Sequence, residues 1–300
     1  MEKTRVAIIG YGNVGKHVYE SIITSPDMVL VGIVLRNKQA ANDKGVPQGL
    51  TVVEHISELT NVDVAFLCTP SRSVVSVAEE LLALGINTVD SYDIHSKIFD
   101  VKQKLTKVAK ENNSVAIIAS GWDPGIDSVI RCLLEASAPK GLTYTNFGPG
   151  MSMGHTVAVK AIKGVKKALS VTIPIGTGLH RRMVYVELVE GANADFVSNA
   201  IKKDSYFADD ETHVIFVDDV DSLKDMGHGV NMVRKGVSGL TQNQHFEFNM
   251  RINNPALTAQ IMVSCGRATK RQPAGCYTML EIPLIDLLPE SRESIIKRLV

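Results

Sequence analysis

The stretch Val6 to Gly15, VAIIGYGNVG, constrains this chain more than any other. Four apolar residues, Val6, Ala7, Ile8 and Ile9, run into Gly10, Gly12 and Gly15, and the residues beyond put Val18 and Ile22 on one helical face. The order is strand, tight turn, helix. In a GxGxxG turn of this kind the first glycine permits the turn and the second lets the backbone approach a pyrophosphate. The third lets helix and strand pack closely. The pyrophosphate then rests on unpaired N–H groups at the positive end of the helix dipole. Glycine-rich turns are common, and a plain βα turn is the alternative. The buried-type strand before the turn and the amphipathic helix after it favour dinucleotide binding.

Three hundred residues exceed the size of one hydrophobic core, so two domains are expected. With 45% hydrophobic and 21% charged residues the composition is that of a globular protein. Lys plus Arg equals Asp plus Glu at 32 each, which removes the general electrostatic argument for nucleic acid or an anionic membrane as partner. The apolar run in MEKTRVAIIG is too short for a signal peptide, and no run of about 18 apolar residues follows, so a cytoplasmic enzyme is the expectation. Cys68, Cys132, Cys265 and Cys276 lie far apart without a CxxC pair. They are expected as four buried or half-buried thiols, with neither disulfide nor zinc site, and the eight histidines show no metal-ligand spacing.

The first 120 residues alternate short apolar runs with helical patterns, as βαβ units of a parallel sheet do. Strands are expected at Arg5 to Ile9, Val29 to Leu35, Thr51 to Val53, Val62 to Cys68, Thr88 to Asp90 and Val115 to Ala119, with clear helices at Ser73 to Ala83 and Ser96 to Asn112. NAD-binding domains place an Asp or Glu about twenty residues after the glycine turn, on the ribose 2′-hydroxyl. Here that place holds Leu35, Arg36, Asn37 and Lys38. A carboxylate would repel a 2′-phosphate, whereas Arg36 can grip it in a bidentate fork and Lys38 can add a point charge. NADP is therefore favoured over NAD. Ordinary solvated loop charges would look the same locally.

In an open parallel sheet, ligands collect beyond the carboxyl ends of the strands. Those ends carry Cys68-Thr69-Pro70-Ser71, then Asp90-Ser91-Tyr92-Asp93, then Gly121-Trp122-Asp123-Pro124-Gly125. Asp90, Asp93 and Asp123 are thus expected on the rim where the nicotinamide would lie. Carboxylates there suit a substrate with an ammonium group, whose oxidation passes through a cationic iminium. One of them could also take the proton that must leave the amine first. The alternative is that Asp93 and Asp123 are turn or N-cap residues.

After Gly125 the texture changes. A helix at Ile126 to Ala136 gives way to alternating segments at Thr143 to Phe147, Ala168 to Ile173, Met183 to Val189, His213 to Val217, Val230 to Gly236 and Phe246 to Ile252. Such alternation implies a sheet with one wet face, covered on the other by helices at Gly154 to Ile162 and Ala194 to Lys202. This is an α+β second domain. Pro255 fits a helix N1 position, and the helix it opens runs to Arg271. A strand at Cys276 to Ile282 and a terminal helix from Pro289, packed back on the nucleotide domain, complete the chain. The expected division is 1–121 for dinucleotide binding, 122–253 for substrate binding and dimerisation, and 254–300 for the return. The run Gly148 to Gly154 has the wrong spacing for a second nucleotide loop, and Pro149 offers no N–H, so it reads as a close-approach loop over the substrate.

With VAIIGYGNVG, VDSYDIH, SGWDPG, FGPGMSMGH and RINNPALTAQ in this order, the chain resembles the meso-diaminopimelate dehydrogenase family over nearly its whole length. The fold implied is a Rossmann-type doubly wound parallel α/β sheet with a second α+β domain. The resemblance implies an NADP-dependent, reversible oxidative deamination of the D-centre of meso-2,6-diaminopimelate to L-2-amino-6-oxopimelate and ammonia, by a homodimer built through the second domain. Asp93 and Asp123, with Trp122, would surround the D-centre amine, with Asp90 beside them. Phe147 and the backbone of Met153 and Gly154 would line the reacting end, and Thr172, Arg182, His228 and Asn254 would hold the distal L-amino-acid end. The cofactor set comprises Gly10, Tyr11, Gly12, Asn13, Val14, Gly15, Arg36, Asn37, Lys38, Cys68, Thr69, Pro70, Ser71, Ser91 and Tyr92; no metal is implied.

Thr172 sits in an apolar strand and could be a packed strand residue. Arg181 precedes Arg182, and adjacent strand residues point to opposite faces, so one of the two is expected to enter the site. Many family members have Trp where this chain has Phe147, and its segment between Leu179 and Ser205 is short. In both it resembles the subgroup that accepts other substrates and aminates 2-oxo acids to D-amino acids. The competing readings are another NADP-dependent two-domain reductase, of semialdehyde or dihydrodipicolinate type, and a non-catalytic dinucleotide sensor. The first would more naturally offer a His or Lys general acid, and the second need not keep a distal Arg, His and Asn grip.

Overall fold

The computed structural model describes residues 3–223 and 227–300. In chain order the elements are β1 (Thr4–Ile9), α1 (Asn13–Ile23), β2 (Met28–Val34), β3 (Val52–Val53), β4 (Val64–Leu67), α2 (Ser71–Ala83), β5 (Asn87–Asp90), α3 (Ile98–Glu111) and β6 (Val115–Ile117). They continue as α4 (Ile126–Ser137), β7 (Lys140–Phe147), β8 (Gly150–Met151), α5 (Met153–Lys160), β9 (Val165–Gly176), β10 (Leu179–Leu188) and α6 (Ala194–Lys203). The last are β11 (Glu211–Phe216), β12 (Gly227–Ser238), β13 (Thr241–Asn253), α7 (Asn254–Thr269), β14 (Gly275–Tyr277) and α8 (Arg292–Leu299). The chain divides into two compact units, 1–130 with 255–300, and 131–254.

The first unit is a seven-stranded sheet in the order β14-β6-β5-β4-β1-β2-β3, and every pairing is parallel. Both faces are covered, so consecutive strand residues enter different cores, as the two-residue period of a strand requires. Val6, Ile8, Val64 and Phe66 pack with Ala259, Met262 and Val263 of α7. Ala7, Ile9, Ala65 and Leu67 pack instead with Val74, Ala78, Leu81 and Leu82 of α2 and Val101, Leu105 and Ala109 of α3. The last part of the chain thus supplies both an edge strand and a helix layer to the sheet begun by residue 4.

That tail departs from the expected pattern at two places. The strand expected at Cys276 to Ile282 stops at Tyr277, because Thr278 and Glu281 form a capping box that starts a short 3-10 turn over Met279–Glu281. The terminal helix begins at Arg292, not at Pro289, where the Ser291 hydroxyl accepts from the Ser294 N–H at 3.2 Å.

The second unit holds two sheets where one was expected. β11-β10-β9-β8 form a four-stranded sheet, and β13-β12-β7 a three-stranded antiparallel one. Helices α5 and α6 cover the first through Ala158, Val159, Val197 and Ile201, packed on Ala168, Val184 and Val186. Along β13 half-buried and exposed residues alternate from Asn243 to Asn253, the mark of a sheet wet on one side. Cys132 is exposed, contrary to the expectation of four covered thiols, because it lies on an outer position of α4. No described helix is long and apolar enough to cross a membrane.

Candidate active site

In the first unit the glycine turn is built by close backbone contacts. Gly10 adopts φ +91°, and a Cβ there would lie 2.8 Å from the Cys68 carbonyl oxygen. At Gly15 a Cβ would lie 2.4 Å from the Gly10 carbonyl oxygen, so the helix can approach only without one. Gly12 differs. It caps α1 in an extended conformation, and a Cβ there would meet no protein atom within 4 Å. Its missing side chain serves nothing inside the protein, and it leaves open the space at a helix N-terminus where a pyrophosphate binds. The residues therefore fit a dinucleotide.

Of the other expected cofactor positions, Arg36, Asn37 and Lys38 are exposed just past the end of β2. Asn37 caps a 3-10 turn by accepting from the Gln39 N–H at 2.9 Å, and the Lys38 N–H donates to Glu54 at 3.1 Å, so the loop is held in shape around Arg36. Cys68 and Thr69 follow β4, Pro70 caps α2, and Ser71 opens it. The Tyr11 and Tyr92 side chains lie in the two cores, while Asn13 and Val14 form the first turn of α1 and Ser91 is half-buried.

Asp93 and Asp123 are half-buried in the loops that follow the neighbouring strands β5 and β6. The Ser71 hydroxyl donates to Asp93 Oδ1 at 2.6 Å, which fixes that carboxylate against the start of α2. Asp123 sits in a loop closed on itself: the Ile126 N–H donates to Gly121 O at 3.1 Å and the Asp127 N–H to Trp122 O at 3.0 Å. A Cβ at Gly125 would lie 2.0 Å from Gly121 O, so SGWDPG requires its last glycine. Trp122 is buried beside it. Asp90 does not join these two on a rim: it is fully buried, because its side chain turns inward to backbone N–H groups at the ends of β5 and β6.

The second unit gathers the other expected residues. Thr172 on β9 pairs with Arg182 on β10, and one Arg182 nitrogen donates to the Thr172 hydroxyl while Nε donates to Asp210 at 2.7 Å. Arg181, on the other face, pairs with exposed Glu211 at 3.0 Å. The FGPG loop reaches these strands because Cβ atoms at Gly148 and Gly150 would lie 2.3 Å from Thr172 O and 2.2 Å from Gly227 O. Phe147 is thereby held near Thr172 and His228. Met153 and Gly154 open α5, whose first amides have no acceptor within the helix and so suit a carboxylate.

His228 is buried, and burial pushes its imidazole down to about 4. The ring is neutral at pH 7, and Nδ1 lies 2.7 Å from the Gly229 amide nitrogen and 3.1 Å from its carbonyl oxygen, so the Gly229 backbone holds the ring in place. Pairing of Gly227 with Asn253 and of His228 with Ile252 brings Asn254, also buried, to the same end of β12.

Two residues here escaped the sequence reading. His180 Nε2 accepts from the Phe147 N–H at 2.8 Å, with the two rings 5.4 Å apart, and burial, reinforced by Arg182, keeps its pKa low. Its place two residues before Arg182 on one strand face was the available signal. Asp210 lies in the acidic run Asp209-Asp210-Glu211, which reads in isolation as solvated charge.

The comparisons with known proteins follow this geometry. Residues 4–119 match the oxidoreductase family with NAD-binding Rossmann fold, and residues 121–181 match the diaminopimelic acid dehydrogenase C-terminal domain. The meso-diaminopimelate D-dehydrogenase of Bacteroides fragilis is 61% identical over 300 residues, covering 100% of both chains. The structure of the C. glutamicum diaminopimelate dehydrogenase in complex with diaminopimelate superposes with a TM-score of 0.89 at 31% identity, covering 100% of both chains. An engineered D-amino acid dehydrogenase bound to NADP+ gives a TM-score of 0.89 at 30% identity, covering 99% of this chain and 100% of that one. A parallel dinucleotide-binding sheet, two carboxylates on adjacent strand ends, and full-length identity at this level together place the chain in the meso-diaminopimelate D-dehydrogenase family.

Proposed function

We propose that the protein oxidises the D-centre of meso-2,6-diaminopimelate to L-2-amino-6-oxopimelate and ammonia, reversibly, with NADP+. The observation that carries this is the pair Asp93 and Asp123 on loops after adjacent strands, in a chain 61% identical over its full length to a meso-diaminopimelate D-dehydrogenase.

When bound, NADP+ supplies the acceptor for the hydride that leaves the substrate α-carbon. The pyrophosphate has the N-terminus of α1, opened by Gly12, and the 2′-phosphate has Arg36, with Lys38 adding charge. One of Asp93 and Asp123 takes a proton from the substrate ammonium, since only the neutral amine has a lone pair to form the C=N bond as the hydride leaves with the C–H pair. The other, still ionised, stabilises the cationic iminium, and a water adds to that carbon so that ammonia leaves and the ketone forms. The family resemblance assigns Trp122 in the first unit, and Phe147 with the amides of Met153 and Gly154 in the second, to the reacting end of the substrate. Arg182, with Thr172, His228 and Asn254, holds the distal amino acid. Gripping the distal L-centre is how one stereocentre of an otherwise symmetric substrate is selected. Reductive amination of 2-oxo acids to D-amino acids is the same chemistry reversed, and Phe147 in place of the family's Trp gives a smaller wall. A homodimer formed through the second unit and a cytoplasmic location, in lysine biosynthesis, complete the reading on the strength of the family resemblance.

The test is NADP+ reduction followed by absorbance, with meso-diaminopimelate, the LL isomer and a simple D-amino acid in parallel. Turnover of the meso form and none of the LL form is the expected result; no turnover of any substrate, with NADP+ bound, returns the function to a reductase of the same plan. Sedimentation equilibrium reads the dimer.

A further inference from the structure

Asp90 is fully buried at the end of β5, and its side chain is held by backbone N–H groups. Its Oδ1 accepts from two backbone donors, the Tyr92 N–H at 2.9 Å and the Ala119 N–H at 3.1 Å. Its carbonyl oxygen accepts a third, the Ser120 N–H, at 2.8 Å. The first of these bonds closes the loop that leads to Asp93. The other two cross to the neighbouring strand, just past the end of β6, where the chain leads to Asp123. Each proposed catalytic carboxylate lies three residues beyond a main-chain position that Asp90 fixes, Asp93 beyond Asp90 itself and Asp123 beyond Ser120.

Two further features show that the arrangement is held in place. Ala119 has φ +54°, a left-handed conformation that an alanine adopts only when its surroundings impose it, and its N–H is the one Asp90 receives. Asp90 Oδ2 has no hydrogen-bond partner among the described residues, so half of a buried carboxyl group is left unsatisfied while the other half makes two bonds. Leaving a buried acceptor unmade is costly, and an apolar side chain would avoid it. The position gains from Oδ1 alone.

We infer that Asp90 is a positioning residue, which ties the ends of β5 and β6 together and thereby sets the placement of Asp93 and Asp123 for the reaction. The inference rests on the proposed roles of those two carboxylates. It gives Asp90 no proton to move: Oδ2 is buried and has no hydrogen-bond partner among the described residues. Burial, partly offset by the two N–H bonds, holds the carboxyl up at about 6, so it is largely ionised at pH 7, and the replacement that tests the tie keeps its shape and its acceptor without its charge. Asparagine is that replacement. Its carbonyl oxygen can accept the same two N–H groups, and its amide nitrogen takes the place of the unsatisfied Oδ2.

The experiment compares Asp90→Asn, Asp90→Ala and Asp90→Ser with the full-length parent in two assays. Amide hydrogen exchange at Tyr92 and Ala119 reads the tie without turnover, and steady-state kinetics with meso-diaminopimelate reads its consequence. In Asp90→Ala both amides should lose protection by at least about tenfold, and kcat should fall by about 100-fold, the scale of a displacement of about 1 Å, with NADP+ affinity kept. Asp90→Asn should restore protection and most of kcat. Asp90→Ser, whose oxygen reaches the Tyr92 amide and falls short of Ala119, should lose protection at Ala119 alone and lose kcat with it; it carries the test if the alanine variant does not fold. An asparagine variant as inactive as the alanine one would overturn positioning in favour of proton transfer. Full turnover in folded alanine and serine variants would overturn any role. A parent enzyme inactive on meso-diaminopimelate refutes the proposed substrate, and the exchange arm still decides whether Asp90 makes the tie.

Discussion

Gly12 and Gly15 stand three residues apart in one turn, and the structure gives them opposite jobs. Gly12→Ala adds a methyl group that meets no protein atom within 4 Å, on a residue whose extended φ and ψ suit alanine. The folded protein should tolerate it at the cost of a weaker helix cap, about 1 kcal/mol, or a Tm lower by roughly 3 °C in a chain of this size. The methyl group occupies the approach to the α1 amides. Losing one charge-assisted N–H to phosphate bond costs about 1.5–3 kcal/mol, so the Kd for NADP+ should rise about 10- to 100-fold. Gly15→Ala acts the other way round. Alanine inside a helix gains about 1 kcal/mol in propensity, but its Cβ would lie 2.4 Å from the Gly10 carbonyl oxygen, a backbone atom that cannot rotate aside. Overpacking of this kind costs about 1–3 kcal/mol and more when backbone must move, so Tm should fall by several degrees. Thermal unfolding of the ligand-free variants and calorimetric titration with NADP+ measure both quantities. A Gly12→Ala protein that binds NADP+ like the parent, or a Gly15→Ala protein as stable as the parent, refutes the assignment of one glycine to the ligand and the other to packing.

Four further outcomes are expected. Asp93→Asn and Asp123→Asn should each lower kcat by about 10²- to 10⁴-fold with NADP+ affinity nearly kept, and parallel loss of affinity would show them to be structural. Arg182→Ala should raise the KM for meso-diaminopimelate by about 10- to 100-fold, as loss of a charged hydrogen bond does, while Arg181→Ala, which breaks an exposed pair with Glu211, should leave it near the parent value. Arg36→Ala should cut the preference for NADP+ over NAD+ by at least about tenfold, and an unchanged ratio sinks the 2′-phosphate assignment. Burial lowers the His228 imidazole from 6.5 to about 4, so the stability its neutral ring confers is complete above pH 6.5 and is lost as pH falls towards 4. The loss amounts to about 3 kcal/mol, and urea unfolding of His228→Gln across that window should be flatter than the parent's by this amount; equal slopes would assign the acid sensitivity elsewhere.

Much of the first unit was legible in the chain because its signals are local. An apolar run into spaced glycines can be read without knowing what lies beside it, and central strands such as β4 and β6 are buried on both faces, so they appear as unbroken apolar runs. The second unit was less legible. Alternation showed which residues pair with water, but not that β7 leaves the β9-β10 sheet to join β12 and β13, since both partners offer the same pattern. The strand expected to Ile282 failed for a related reason: a capping box weighs more than an apolar spacing over so few residues.

The sequence by itself determined the parallel dinucleotide-binding sheet, the family, and the residue types suited to an amine and a carboxylate, because glycines in a turn and charged residues at strand ends carry their chemistry with them. Only the tertiary structure decided how those groups are used. It placed Arg182, not Arg181, beside Thr172, because strand register selects the face. It also joined His180 to Phe147 across 33 residues, and it withdrew Asp90 from solvent onto the amides of Tyr92 and Ala119. Register, burial and contacts between distant residues are properties of the packed chain. A carboxylate that meets substrate and one that holds a loop are the same letter until packing sets their surroundings.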